Sequence, residues 1–355
     1  MPKRLLRLAC AAAVAAQAAL APAPATAEPD PRRPVSQLLT DLQRLYRQTE
    51  QATETYDATA ERLRAQQAEV ARLDGELARA RLSLDRGRQA AGRLAREQYQ
   101  NSTALSPYVR LLLARDPQHA LDEGHLIGQL ARERAGTVGR LTGSERRKDA
   151  LARAARKALD ARLTLAAQQK KARDDVRARL AEVERLLASL TPEQVTALAA
   201  RERNDTADAQ RKLVTSGALG DDRPPSAEGD RAVRYAVRQL GKPYAWGAEG
   251  PQAYDCSGLT AQAWGHAGAP IPRTSQEQWA RLPHIPLRDL RPGDLVVYFP
   301  EATHVAMYVG DGKVIQAPRP GAEVTFSPIA SYPVLGAVRP DGTAPNGQAP
   351  ATEAR

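Results

Sequence analysis

Aromatic residues make up 4% of the 355-residue chain, and they are unevenly placed. All three Trp (Trp246, Trp264, Trp279) and both Phe (Phe299, Phe326) lie in the last third. The first two thirds are mostly Ala, Arg, Leu, Gln, Glu and Asp, a composition that suits a coiled coil and excludes an aromatic-packed core there. Proline is absent from Val35 to Ser106, as a continuous helix requires. Beyond the first residues no apolar run is long enough to span a membrane. Cysteine is nearly absent, with Cys10 near the start and Cys256 in the aromatic third.

The beginning of the chain narrows the compartment. Lys3, Arg4 and Arg7 form a positive region before an Ala-rich apolar run from Leu8 to about Leu20. Ala25-Thr26-Ala27 then supplies small residues for cleavage before Glu28, so residues 1–27 read as a secretory signal peptide. Arg7 stands where a lipoprotein signal needs an apolar residue, and the apolar run follows Cys10, which therefore reads as part of the leader. The mature protein is expected to be secreted, with Cys256 as its one thiol. Exported proteins normally pair their cysteines, so a single one points to an intermolecular bridge or a reactive group, a buried inert Cys being the alternative. The formal charge of +10 favours polyanionic surroundings such as wall polymers or anionic lipid. Nucleic acid, the other polyanion, conflicts with export.

A proline-rich leader (28–34) precedes a helical domain expected over 35–206. Leu42, Thr49, Tyr56, Leu63, Val70, Leu77, Leu84 and Ala91 recur every seven residues. The pattern breaks at Asn101-Ser102-Thr103, Pro107 and Pro117, and a second helix is predicted from about His119 to Arg203, with Pro192 near its end or opening a short helix after Thr191. Two helices of similar length joined briefly predict an antiparallel hairpin; a parallel homodimer is the alternative, and the oligomeric state stays open. A flexible linker is expected over 207–227, a compact domain over 228–340 and a disordered tail over 341–355. In the compact domain, a helix over Arg231–Leu240 ending at Gly241 and one from Cys256 to about His266 precede strands at Leu295–Phe299, His304–Val309, Lys313–Ala317 and Val334–Val338. Helices first and an antiparallel sheet after them make this α+β.

Tyr254-Asp255-Cys256-Ser257-Gly258-Leu259 carries the chemistry. Asp255 can cap a helix beginning at Cys256, and the positive helix end favours a thiolate nucleophile. Such a nucleophile needs a base. His266 lies roughly 15 Å along the same helix, and His284 sits in a proline-flanked loop. His304 opens a strand and is the candidate. A third group should orient its ring. If Gly310-Asp311-Gly312 is a three-residue loop, Gln316 falls diagonal to His304 on the same face. A two-residue Asp311-Gly312 turn sends the two to opposite faces, leaving Gln316 toward solvent. No residue cluster has metal-ligand spacing, and no cofactor is expected.

Gly241-Lys242-Pro243-Tyr244-Ala245-Trp246-Gly247, Tyr254 to Leu259, Pro272-Arg273-Thr274-Ser275, Pro292-Gly293-Asp294-Leu295 and His304 to Gly310 together resemble the NlpC/P60 family of cysteine peptidases. The resemblance implies a papain-like α+β fold and peptidoglycan as substrate, cut between D-γ-glutamyl and diaminopimelyl residues of the stem peptide. It implies Cys256 as nucleophile, His304 as base and Gln316 at the third position, which is more often His. It implies Tyr244 facing the cysteine, with Asp255, Ser257, Arg273 and Ser275 as substrate-binding or supporting residues. A leader plus N-terminal coiled coil also resembles secreted actinobacterial hydrolases of this family. The coiled coil, or the linker after it, is expected to restrain Cys256 until proteolysis, a protein partner or a membrane-anchored regulator releases it. A Cys-dependent amidase or acyltransferase, and a non-catalytic wall or divisome interaction protein, are the rival readings.

Overall fold

The computed structural model describes residues 34–100, 107–112, 116–221 and 223–342. The expected signal peptide (1–27), residues 28–33 of the leader, the break at Asn101-Ser102-Thr103 and the tail from residue 343 lie outside the described residues. No described helix is long and apolar enough to cross a membrane. The chain divides into two units, Ala52–Val176 and a second made of Met1–Gln51 with Arg177–Arg355.

Helix α1 (Val35–Gln100) is followed by the six-residue α2 (Pro107–Leu112) and by α3 (Pro117–Ala188). Within Ala52–Val176 the heptad positions Leu63, Val70, Leu77 and Leu84 are buried, with Leu73 and Ala80 beside them. Val70 and Leu73 pack against Ala158, Leu151 and Ala155 of α3. Gln66 donates to the Ala158 carbonyl at 3.0 Å, and Arg88 pairs with Glu145 at 3.2 Å. Positions rising along α1 meet positions falling along α3, so the two run antiparallel within one chain.

In the other unit, α3 stops at Ala188 and α4 (Pro192–Thr215) starts afresh. Thr191 Oγ1 accepts from the Gln194 amide at 3.2 Å, while Gln194 Oε1 accepts from the Thr191 amide at 3.0 Å. This reciprocal cap satisfies two amides of the new helix, and Pro192 at its first position has no amide to lose. Of the two expectations for Pro192, the one in which it opens a further helix after Thr191 holds, and that helix runs on to Thr215. The linker expected over 207–227 is also shorter, because α4 runs to Thr215 and is docked. Gln210 donates to the Gly312 carbonyl at 3.0 Å and accepts from the Ala330 amide at 3.1 Å. Leu213 and Leu219 pack against the sheet's second core. The start of α1 joins α3 and α4 through Leu38, Leu39 and Leu198, with Val35, Leu186 and Leu190 around them.

The C-terminal part is α+β. Its helices are α5 (Ala227–Val237), α6 (Cys256–Ala267) and α7 (Ser275–Arg281). Its strands are β1 (His284–Ile285), β2 (Leu295–Tyr298), β3 (His304–Gly310), β4 (Lys313–Gln316), β5 (Thr325–Pro328) and β6 (Val334–Val338). They form one sheet in the order β1-β6-β2-β3-β4-β5, antiparallel throughout. Helix α7 and strands β1 and β5 have no counterpart in the sequence expectation. Helix α5 ends at Val237, and Gly241 (φ 77°) follows after turn residues instead of capping it directly. Asp341, expected in the tail, is gripped by both oxygens at 2.7 Å from Arg291, so the compact domain reaches at least that far.

Alternate strand residues go to opposite faces. Leu295, Val297, Val305, Met307 and Ile315 pack with Leu259, Ala263 and Trp264 of α6. Val296, Tyr298, Ala306, Tyr308 and Val314 pack with Leu290 and Ile329 on the other side. Both faces are covered, which is why β2 reads as a continuous apolar run in place of an alternating one.

Candidate active site

Helix α6 begins at Cys256 because Asp255 caps it, accepting from the Gly258 amide at 2.6 Å. Asp255 is 1% exposed. A carboxylate buried that deeply needs a charged, hydrogen-bonded partner, and Arg273 provides it. Its guanidinium donates to the two carboxylate oxygens at 3.1 and 2.6 Å and to Ser257 Oγ at 2.9 Å. Glu249 lies 3.2 Å from Arg273 Nε. Asp255, Ser257 and Arg273 thus fix the turn that holds the cysteine, and their side chains are buried. Gly258 is required here, since a side chain at its position would collide with the Ala248 carbonyl. That carbonyl already accepts from the Asp255 amide at 3.0 Å. Cys256 itself is buried and forms no disulfide. First-turn amides that the cap leaves over are oriented to hold negative charge.

His304 opens β3 opposite Tyr298. The loop that delivers it holds Phe299 (φ 62°) and Ala302 (φ 51°) in the left-handed region, which non-glycine residues adopt where surrounding contacts over-determine the backbone. Ser275 supplies one such contact, its hydroxyl donating to the Ala302 carbonyl at 2.6 Å. Ser275 therefore positions the approach to His304.

Gln316 reaches His304 by a route that combines both loop alternatives. The turn is the two-residue Asp311-Gly312, with φ of 53° and 64° as a type I′ turn needs, and Gly310 pairs with Lys313. That pairing alone would place Gln316 on the wrong face. A bulge between Tyr308 and Gly310 absorbs one residue, so Tyr308 pairs with Val314 and Met307 with Ile315. The register is thereby restored, and His304 Nε2 donates to Gln316 Oε1 at 2.6 Å. Both side chains are buried.

The other histidines of the domain are engaged elsewhere. His266 stacks on Tyr235 at 4.2 Å, and His284 lies against Trp279 at 3.9 Å. Tyr244 is buried in the same apolar cluster as Cys256.

Four residues that sequence reasoning did not single out surround the pair. Tyr332 meets the His304 ring edge-on at 5.0 Å. Burial, then the nearby Glu50 carboxylate, push its hydroxyl pKa well above the usual value; Glu202 and Cys256 act the same way and Arg319 opposes them. These charges therefore gather around one ring. Glu50, on α1 and in the same unit, brings Oε1 to 3.2 Å from His304 Nδ1. With Nε2 donating to Gln316, the ring is neutral when Nδ1 is bare and an imidazolium only when Nδ1 also carries a proton. Glu202 of α4 holds Arg319 through both carboxylate oxygens at 2.6 and 3.1 Å. Arg319 also lies over the Tyr46 ring at 4.9 Å, and Arg47 over Phe299 at 5.8 Å. A cavity of about 850 Å³ opens here, lined by Tyr46, Arg47, Glu50, Glu202, Arg319 and Tyr332 among others. Nothing local marks Glu50 or Glu202, which sit among mixed charges on long helices. Among the described residues no group of three or more His, Cys, Asp or Glu is arranged to hold a metal ion.

Residues 241–335 match the model of the NlpC/P60 family. A protein of Corynebacterium glutamicum named a probable endopeptidase is 41% identical over 116 residues, covering 33% of this chain and 56% of that protein. The peptidoglycan endopeptidase RipB of Mycobacterium tuberculosis is 34% identical over 133 residues, covering 32% and 55%. The chain thus spans about half the length of these curated relatives. Among solved structures, the P60 domain of an antigen from M. avium subspecies paratuberculosis is 33% identical, covering 31% of this chain and 94% of that one, with a TM-score of 0.28.

Proposed function

Because residues 241–335 are an NlpC/P60 domain, we propose that this chain is a secreted cysteine endopeptidase that cuts peptidoglycan stem peptides. The observation that carries this reading is the His304–Gln316 bond, Nε2 to Oε1 at 2.6 Å, in the same domain as a buried cysteine, Cys256, at the capped start of α6. The scissile bond is the D-γ-glutamyl-diaminopimelyl amide.

In the reaction, the Cys256 thiolate attacks the peptide carbonyl, and first-turn amides of α6 stabilise the oxyanion. Collapse of the tetrahedral species breaks the C–N bond, with His304 Nδ1 giving its proton to the leaving amine. The acyl-enzyme is then hydrolysed by water that His304 deprotonates, which restores the thiol. Gln316 keeps Nε2 protonated and so leaves Nδ1 for proton transfer. A neutral amide orients the ring without the charge stabilisation a carboxylate would add.

The resting chain is restrained. Glu50 occupies Nδ1, the nitrogen through which the base works. Helix α1 is continuous from Val35 to Gln100, so a protein partner or membrane-anchored regulator drawing on the helical hairpin acts on the element that carries Glu50. Mass spectrometry of peptidoglycan digested by the full mature chain and by its Cys256→Ala variant tests the reading. New amine termini at diaminopimelyl residues are expected from the first and none from the second; equal products from both would refute it.

A further inference from the structure

Arg319 lies three residues beyond the end of β4, the strand whose last residue, Gln316, reaches the base. Its guanidinium is gripped through both oxygens by Glu202 of α4 at 2.6 and 3.1 Å, and its face rests on Tyr46 of α1 at 4.9 Å. It borders the same cavity as Glu50 and Tyr332. The two covering helices therefore each bring a carboxylate to a nitrogen-bearing side chain of the catalytic domain, Glu50 to the His304 ring and Glu202 to the Arg319 guanidinium.

The two groups respond differently to uncovering. His304 is left with an open Nδ1 once Glu50 withdraws and can then serve as base. Arg319 cannot; guanidinium stays charged in proteins, and its flat fork matches a carboxylate in two-point contact. Once α1 and α4 move off, Arg319 loses the anion and the aromatic face together, and remains as a fixed positive charge beside the cleft. A substrate arriving there is selected for a carboxylate.

We infer that Arg319 is a specificity-determining residue that binds a carboxylate of the substrate peptide, and that Glu202 occupies that place in the covered state. The inference rests on the stem-peptide reading of the site and adds which group the protein recognises. It also makes the cover competitive, since the substrate's carboxylate and Glu202 seek the same guanidinium.

Binding separates this inference from the function itself. The probes are a synthetic stem tetrapeptide and two versions amidated singly, one at the glutamyl and one at the diaminopimelyl carboxylate. Calorimetry uses the full chain carrying Cys256→Ala, so that nothing is cut. Glu202→Gln is expected to tighten binding of the acidic peptide and to weaken one amidated form relative to it by about tenfold, the worth of a charged hydrogen bond. Adding Arg319→Gln should bring the acidic and amidated peptides within twofold of one another, and Arg319→Lys should retain part of the difference. An unchanged preference in Arg319→Gln, or no preference and no binding in any chain, overturns the inference. Digestion of peptidoglycan by the unmodified chain stands or fails independently of these titrations.

Discussion

Oε1 of Glu50 lies 3.2 Å from Nδ1 of His304, a contact between α1 and the first residue of β3. Both side chains are buried, Glu50 at 5% exposure and His304 at 0%. Even a fully charged buried contact of this kind contributes little net stability, because desolvation offsets most of the attraction. Its effect is on chemistry. It places a carboxylate oxygen of α1 against Nδ1, the ring nitrogen that Gln316 leaves over.

The orienting bond from Gln316 has its own signature. Gln316→Leu removes an acceptor from a buried ring nitrogen and should lower kcat by about tenfold, the value of one hydrogen bond of about 1.4 kcal/mol. Gln316→Glu puts a carboxylate beside Nε2 and favours imidazolium. The alkaline limb of the kcat/KM profile should then move to higher pH. A pH–rate series on the three chains checks both; an unshifted limb in Gln316→Glu would remove the role assigned to this residue.

Arg273 should be costly to remove. It neutralises Asp255, and both are buried. Arg273→Leu leaves an unpaired carboxylate under the nucleophile's turn and should destabilise the domain by about 3–5 kcal/mol. Urea unfolding with a tryptophan signal measures it. Restoring neutrality with Arg273→Leu/Asp255→Asn should recover part of the loss, since the second change removes the stranded charge.

Acid sensitivity has one identifiable source at the domain's end. Burial raises the Asp341 pKa, but the Ser226 hydroxyl and the Arg291 guanidinium outweigh it and hold the carboxyl below its usual value. A depressed folded pKa gives stability that is present above the unfolded value, about 4, and is lost as pH falls through the folded one. Asp341→Asn should therefore lower the melting temperature at neutral pH and flatten the fall in stability below about pH 4. Melting curves from pH 3 to 7 compare the slopes.

Much of the site was legible because it is local. The Asp255-Cys256 cap, the turn at Asp311-Gly312 and the strand opening at His304 are each set by a few neighbouring residues. The pairing of Gln316 with His304 was legible as a choice between two registers. What decided it was a bulge between Tyr308 and Gly310, and bulges leave no mark in apolar alternation. Docking of α4 was hidden for a different reason. Residues 207–215 carry the polar composition of a linker, while their helix is held by Gln210 and Leu213 against a sheet formed much later in the chain. Glu50 and Glu202 were invisible on the same ground. Their partners are reached through tertiary packing, and on their own helices they look like any solvated acid.

The rate of stem-peptide release from purified peptidoglycan by the full mature Glu50→Ala chain, set against the unmodified chain and against Cys256→Ala, bears most directly on the restrained Cys-His mechanism. Glu50→Ala should release fragments faster than the unmodified chain, on the order of tenfold, and Cys256→Ala should release none. Release by Glu50→Ala that is no faster than by the unmodified chain would contradict the restraint, and release by Cys256→Ala would contradict the mechanism.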